Sequence, residues 1–543
     1  MALLEDIERC CRRLLSEQNR DASTPTYGCF DRRYWSWKLV DFPEATFQRN
    51  VYALAWMLQR MPSGDLRRQV YSQAVIAGLL YSGHIQHDDG SFDQAFPNDR
   101  SFGATAFLLD PMIASFRIVE DVLDASARQA IEACLRAAAD FLCTHEETHG
   151  HIANHLAGAV WSLVQACDLF GEQRYRARAL ELLGRILEKQ SPEGWFTEYD
   201  GADPGYQTLC VQYLAQVAGS LKHEALDKAL ERAVSFLSWC IHPDGTFGGE
   251  YGSRRTAVYY PGGIALLSKD NPTAATMSTF MLDSIARGSS VGLADVDMGN
   301  MAPMAGSVML AVGTFEKSPN EPTDRVLPWQ REQAEAHFPG AGFHMWANGR
   351  FYSIFGSSNG GVLKVFDRVT GRLILNDGGY IGTTPEGRQI TTQVTDRSIE
   401  CCVSGTSVEI ETAFFELSHP MPAPLQFIVL RVLNVSLMRS IRLGNFVKAL
   451  LVKLLIRRRD PVAVRLTRRV TFAPDAIRVS DRVMAKGKLA LATLECGKPF
   501  VGVHMASSRY FPGFAASGQP DGKAMDVRRL AADGVADLEF EVG

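Results

Sequence analysis

A glycine followed within two residues by an aromatic recurs through the first half of the chain, and its spacing restricts what that half folds into. The corner reads "YGCFD" at Gly28, "DDGSFD" at Gly90, "EGWFTE" at Gly194 and "PDGTFGG" at Gly245, with looser versions at Gly150 in "HGHIANHLAGA" and Gly299 in "DMGNMAPMAGS". Successive glycines are 62, 60, 44, 51 and 54 residues apart. That spacing is too uneven for a solenoid of fixed units, yet each gap accommodates two helices and two loops.

The apolar residues between corners fall at helical spacing. An amphipathic helix precedes each corner, most clearly over 66–82, 126–143, 173–189 and 222–240 and more weakly over 4–17 and 272–287. A more apolar helix rich in small residues follows, as in "NHLAGAVWSLVQACDLF" and "YQTLCVQYLAQVA". About six such hairpins predict an (α/α) toroid over residues 1–316, apolar helices inside and amphipathic ones outside. The corners would then share one rim, their loops around a cleft.

Near residue 317 the pattern changes. "EKSPNEPTDRVLPWQ" reads as a Pro-rich linker, 317–334, and beyond it come short alternating runs such as "RFYSIFG", "GVLKVFD" and "SVEIETAFFEL", split by Gly, Asn and Asp turns. Residues 335–543 are expected to form an antiparallel β-sandwich. The fold class is therefore multidomain α and β.

Composition narrows the function. With 56 basic and 61 acidic residues and a net charge of -5, the chain as a whole offers no electrostatic case for nucleic acid. Glu5, Asp6 and Glu8 stand where a secretory signal would be basic and then apolar, so the expectation is a cytoplasmic protein. Eleven cysteines without a CxxC array suit reduced thiols and no zinc site. Walker and GxGxxG motifs are missing from the sequence.

A helical toroid followed by a β-sandwich, with Asn154-His155 on one corner and an acidic loop ending in Tyr206 on the next, resembles the heparinase II/III and alginate-lyase-like polysaccharide lyases. The hairpin "VRLTRRVTFAPDAIRVSDRV" is similar to one of that family's sandwich hairpins. The resemblance implies cleavage of a uronate-containing acidic polysaccharide or oligosaccharide by β-elimination, with no cofactor. Such an enzyme removes the C5 proton and expels the C4 oxygen, so the uronate carboxylate must first be neutralised. Asn154 and His155 would neutralise it. Tyr206 would serve as acid, and as base where a cation lowers its pKa. Arg254 and Arg255 would bind the anionic sugar, and Glu198, Glu250, Tyr259 and Tyr260 would line the same cleft.

Each residue also has a plain structural role open to it. Tyr206 suits a rim aromatic, Asn154 a helix N-cap, His155 a satisfied buried histidine, and the arginine pair a bridge to Glu198, Asp200 or Asp203. The resembled family carries a Gly-His-x-His-x-Asp-like segment in its first sandwich strands. Here that stretch holds Ser357, Ser358 and Asn359, and no histidine stands between His344 and His419. No family-type zinc site is expected. Either Tyr206 is both base and acid, or His344 substitutes from a nearby strand, or the chemistry is lost or changed.

Two other readings stand beside the lyase. An inverting glycoside hydrolase would set Asp89 or Asp93 against Glu198, Asp200 or Asp244, with carboxyl groups about 6.5–9.5 Å apart. A non-catalytic glycan-binding or assembly protein of envelope polysaccharide synthesis would need no such pair. Residues 436–460, "SLMRSIRLGNFVKALLVKLLIRRRD", bear on the last reading, with seven Lys or Arg and no acid before Asp460. They read as an inserted basic amphipathic helix, either covering a sandwich face or resting peripherally on an anionic inner-membrane surface. The oligomeric state is not legible.

Overall fold

The computed structural model describes residues 2–148, 150–198, 201–318, 324–417, 423–455, 461–486, 490–500 and 522–543, with the side chains of residues 449 and 451–455 left aside. The helical half consists of α1 (Ala2–Glu17), the single-turn α2 (Arg32–Trp35), α3 (Val51–Arg60), α4 (Arg67–Ile85), α5 (Phe102–Val119), α6 (Ala125–Thr144), α7 (Ala153–Phe170), α8 (Gln173–Glu188), α9 (Pro204–Ser220), α10 (Glu224–Ser238), α11 (Pro261–Leu267), α12 (Pro272–Ala286) and α13 (Met298–Lys317). Helices α3, α5, α7, α9, α11 and α13 touch in sequence, and α13 packs back on α3 to close the ring. Helices α4, α6, α8, α10 and α12 follow one another outside it. This is the toroid of six hairpins. Phe102–Val122 is apolar and long enough to cross a membrane, but most of it is buried among these helices.

The corners explain how successive hairpins lock. Gly28, Gly90, Gly194 and Gly245 have φ of +94°, +88°, +101° and +89°, the left-handed region where a side chain is strained. A Cβ on the first three would also lie 2.0–2.3 Å from a backbone carbonyl oxygen of the next outer helix, that of Ala77, Ala137 or Arg232. Their own carbonyls are bridged by glutamines: Gln18, Gln86 and Gln190 each donate both to the corner glycine and to a carbonyl of the next outer helix. The corner aromatics Phe30, Phe92, Trp195, Phe196 and Phe247 are buried beneath. Gly150 shares the conformation, φ +103°, but nothing among the described residues lies near its missing Cβ. Gly299 is not a corner: it sits in the first turn of α13, where Asp297 caps the helix by accepting from its N–H.

The second half begins with a five-stranded antiparallel sheet in chain order, β1 (Gln333–Phe338), β2 (Phe343–Asn348), β3 (Phe351–Gly356), β4 (Val362–Asp367) and β5 (Leu373–Asp377). The second sheet holds β6 (Ile381–Thr383), β7 (Gln389–Thr391), β8 (Cys401–Ser404), β9 (Ser407–Leu417), β10 (Pro461–Phe472), β11 (Ile477–Ala485), β12 (Thr493–Cys496), β13 (Lys523–Ala524) and β14 (Val535–Val542). Its order is β13-β12-β6-β7-β9-β10-β11-β14, with β8 paired to β9. The sheets meet through Trp346, Phe355 and Val365 on one side and Val408, Ile410, Val470 and Phe472 on the other, Trp346 stacking on Phe472 at 4.1 Å.

The two sheets differ in a way that alternation does not anticipate. Strands β9, β10 and β11 alternate between buried and exposed, whereas β3 and β4 are buried at every position. The outer face of the first sheet is covered by the toroid, so its Phe343, Met345, Tyr352, Ile354 and Phe366 join the toroid core. Polar struts fix this contact at the corners of Gly194 and Gly245. Glu193 accepts from the N–H groups of Gly340 and Ala341 at 2.7 and 3.1 Å, and Lys364 pairs with Glu250 at 2.6 Å.

Between β9 and β10 stands a helical hairpin, α14 (Pro424–Val435) and α15 (Ile441–Leu455). The basic segment is thus the second arm of a hairpin, with residues 456–460 outside the described chain. Among the described residues, its ion pairs are with the toroid and not with a sandwich face. It sits on the toroid rim, where Lys448 pairs with Asp99 at 2.9 Å, Arg431 with Asp41 at 2.8 Å, and the Asn98 amide donates to the Asn434 carbonyl at 3.0 Å.

Candidate active site

Asn154 lies in the first turn of α7, but it is not the cap; Ile152 is. The free N–H groups of that turn are met from across the rim by Glu198. One carboxylate oxygen accepts from the Asn154 backbone at 2.9 Å and the other from its side-chain amide at 2.7 Å. The carboxylate thereby fixes the amide and leaves its second N–H for another partner. Glu198 is fully buried, and burial pushes its pKa well above the ordinary carboxylate value against the pull of the Asn154 donors. It supports the site from behind and does not line the cleft, contrary to its sequence assignment.

Asp203 does the same for the next corner. It caps α9, one oxygen accepting from the Tyr206 N–H at 3.0 Å and the other from the N–H groups of Arg254 at 2.9 Å and Thr256 at 3.3 Å. It too is fully buried, and burial raises its pKa. Two buried carboxylates thus tie Asn154, Tyr206 and the Arg254 backbone into one rim. The loop bearing Tyr206 packs tightly on residues 249–256: a Cβ on Gly201 would meet Ser253 at 2.6 Å and one on Gly205 would meet Thr256 at 2.4 Å. Asp200 lies outside the described residues.

His155, the next residue of α7, is partly exposed and held by Glu147, whose carboxylate lies 2.7 Å from Nδ1. With Nδ1–H donated to Glu147, Nε2 remains the ring atom for a ligand. Room for the ring comes from Gly103 at the start of α5, where a Cβ would sit 2.5 Å from Nδ1. Phe107 supports the ring edge-on at 5.2 Å and itself stacks on Tyr213 at 5.7 Å. Beneath Phe107 a cavity of about 210 Å³ runs into the toroid, lined by Arg49, Tyr52, Asp110, Trp161 and Gln212 among others. The Arg49 guanidinium lies 5.0 Å from the Phe107 ring. A larger cavity, about 390 Å³, lies in the sandwich at Arg350, Asp367 and Arg372 and touches none of these groups.

Other residues assigned to the cleft from sequence are placed elsewhere. Arg255 takes a left-handed φ of +58°, is buried, and donates to the Gln393 carbonyl of the sandwich at 3.1 Å. Glu250 is held by Lys364 and by the Asn376 amide at 3.1 Å. Burial pushes its carboxyl up, but the Lys364 charge outweighs it and the net shift is downward. Tyr259 is core, edge-on to Phe247 at 5.2 Å, and Tyr260 is buried at the cap of α11. Burial raises the pKa of both, which unfits them as bases. His344 points between the two sheets, with His337 at 3.2 Å and Ser357 at 3.4 Å; burial first and His337 second lower its pKa to about 4. It does not reach the rim and cannot substitute for a sandwich histidine there.

At the position of the expected histidines, Asn359 has become a strut between domains. It is buried, donates to the carbonyls of Tyr251 and Gly252, and accepts from the Thr395 hydroxyl at 2.7 Å. Among the described residues no group of three His, Cys, Asp or Glu stands close enough to hold a metal ion. The carboxylates of the hydrolase reading are occupied as well. Asp89 pairs with Arg100, Asp93 accepts from the backbone of Asn98 and Arg100, and Asp244 accepts from Thr246.

Residues 7–264 match the family model of the ulvan lyase N-terminal domain. Over this span, most of the helical domain, the chain is similar to a family of polysaccharide lyases. Two solved structures of similar fold are lyases. The chondroitin AC lyase of Streptomyces coelicolor A3, in complex with chondroitin sulphate, aligns with a TM-score of 0.59 at 11% identity over 91% of this chain and 67% of that one. The xanthan lyase of Paenibacillus aligns with a TM-score of 0.55 at 11% identity over 91% of this chain and 46% of that one. The toroid and the first sheet packed on it therefore share the toroid-plus-β architecture of these enzymes. No curated protein matches the chain in sequence.

Glu147, Gly103, Phe107 and Arg49 are the members of this candidate site that sequence reasoning missed. Glu147 had a signal, the acidic pair in "THEETHGHIANH" just ahead of the Asn-His corner. The other three lie on earlier hairpins, and the packing of neighbouring hairpins brings them to α7.

Proposed function

We propose that this protein cleaves a uronate-containing acidic glycan by β-elimination at the rim formed by Asn154, His155 and Tyr206. The observation that carries the proposal is the pair of buried carboxylates, Glu198 and Asp203, that fix Asn154 and the Tyr206 backbone on adjacent corners. The remaining Asn154 N–H and, with the ring in its imidazolium form, the Nε2–H of His155 donate to the substrate carboxylate and stabilise the charge that builds as C5 loses its proton. Tyr206 takes that proton. The C5–H electrons form the C4–C5 double bond, the C4–O bond breaks, and the leaving oxygen is protonated by the same tyrosine. Arg254, next to Glu198 and bonded through its backbone to Asp203, supplies the positive charge beside the site. The fold likeness to lyases of acidic glycans supports this substrate class. The occupied states of Asp89, Asp93 and Asp244 disfavour the hydrolase.

The test is a panel of acidic polysaccharides followed by the ultraviolet absorbance of the unsaturated uronate, which only elimination produces. Wild type is expected to generate it on at least one substrate, and Tyr206→Phe to abolish it with the melting temperature unchanged. New reducing ends without that absorbance would mean hydrolysis. Silence in both assays would mean a glycan-binding protein.

A further inference from the structure

The helical hairpin Pro424–Leu455 carries none of the groups proposed for the cleft chemistry, and its surface is unlike the rest of the molecule. Of the 22 large apolar side chains exposed among the described residues, ten lie between Leu425 and Leu450. Residues 423–429 are exposed without interruption, and α14 buries only Asn434. Leu425, Ile428 and Val432 are 69%, 60% and 58% exposed, and Phe446 on α15 is 67% exposed. An apolar helix of this kind belongs in an apolar medium, and a patch this concentrated marks a docking surface.

The charge on the hairpin says what docks there. From Pro424 to Arg459 the sequence holds eight Lys or Arg and no Asp or Glu. Arg431 and Lys448 are committed to Asp41 and Asp99 and fix the hairpin to the toroid rim. Arg439 and Arg442 are exposed at the join of the two helices, beside Leu437 and Leu443. Basic groups bordering a broad apolar face suit a bilayer with anionic headgroups: the apolar side chains enter the acyl boundary and the arginines meet phosphate. The twelve residues of α14 extend about 18 Å, short of the roughly 30 Å needed to span the hydrocarbon. A second copy docked about a two-fold axis would set this basic face against itself. An acidic glycan would answer the charge but leave the apolar side chains in water.

We propose that the hairpin seats this protein on an anionic lipid surface, lying in the interface without spanning it. The experiment is flotation of the full chain with vesicles of phosphatidylcholine alone and of phosphatidylcholine with phosphatidylglycerol, at low and high salt. Binding is expected only with phosphatidylglycerol and is expected to weaken with salt. The double variant Phe427→Ser, Ile428→Ser should lose it. Arg439→Ser, Arg442→Ser should weaken it by about 25-fold, roughly fivefold per charge. Both pairs are exposed, and if the apolar pair lowers the melting temperature the arginine pair carries the test. No flotation with either vesicle, or equal flotation with both, overturns the proposal. So does a dimer in sedimentation velocity that the apolar pair dissolves while vesicles remain unbound, since the face would then belong to a second copy.

Discussion

Two pairs of buried carboxylates, one in each domain, are handled in opposite ways. In the sandwich, Asp377 and Asp481 clamp the guanidinium of Arg468: Nη1 lies 2.7 Å from Asp377, and Nε and Nη2 each lie 2.8 Å from Asp481. The Tyr380 hydroxyl and the Gly497 N–H complete the cluster at 2.8 Å each. In the toroid, Glu198 and Asp203 are equally buried, but their donors are the Asn154 amide and four backbone N–H groups. The first pair spends its charge on an internal partner and joins β5, β10 and β11 across the sandwich. The second holds Asn154 and the backbone of the candidate rim, and burial raises the pKa of both carboxyls, as it does that of Asp377. Buried charge in this molecule is structural where a cation answers it and supports the site where neutral donors do.

Three measurements test that contrast. The largest effect is expected from Arg468→Met, which strands two buried carboxylates and should cost about 3–5 kcal/mol of stability in chemical denaturation. Adding Asp377→Asn and Asp481→Asn to the same chain should recover most of it; no recovery would mean that Arg468 acts by packing and not by charge. Next comes Asn154→Ala. Turnover of a responsive glycan should fall about 10²–10³-fold while the melting temperature barely moves. If both fell together, the Glu198 cluster would be structural like its counterpart.

The smallest effect is a slope. Because the folded-state pKa values of Glu198 and Asp203 lie above the ordinary 4.5 and 3.8, the proton is bound more tightly in the folded chain. The stability it brings is complete below those ordinary values and is given up as pH rises through the folded ones. Glu198→Gln, which keeps the shape without the titration, should flatten the decline of melting temperature with rising pH. An unchanged slope would remove the raised carboxyl from the argument.

Much of the toroid was legible because its signals are local. The predicted outer helices 66–82, 126–143, 173–189 and 222–240 correspond to α4, α6, α8 and α10, since amphipathic spacing survives whatever the helix packs on. Four of the six corner glycines are required by a positive φ together with a close approach. Gly299 misled because a glycine in a first helical turn gives the same letter pattern. Gly150 departs in the opposite sense, with nothing among the described residues near its missing Cβ where Gly28, Gly90 and Gly194 meet a carbonyl, and it stands just ahead of Asn154 and His155. The corner carrying these candidate site residues is the one freed from locking hairpins together.

The site residues were legible in type and only partly in role. Asn154, His155 and Tyr206 could be singled out because adjacent corners share a rim in any closed ring. That Glu198 supports Asn154, that Glu147 holds His155, and that Gly103 makes room for the ring depend on the angles at which hairpins meet. Arg255, Glu250 and His344 were misassigned for one reason: the sandwich sits on the same rim and claims them first, through Gln393, Lys364 and the space between the sheets.

By itself, then, the sequence determined the hairpins, their number, the change from helical to strand periodicity, and the chemistry available at each corner. All of these rest on interactions within a few turns of chain. The tertiary structure decided which polar groups face a partner and which face the cleft, because that choice depends on which distant backbone or side chain arrives first to share the burial. Periodicity fixes the face a residue occupies on its own helix. It does not fix what the neighbouring hairpin brings to meet it.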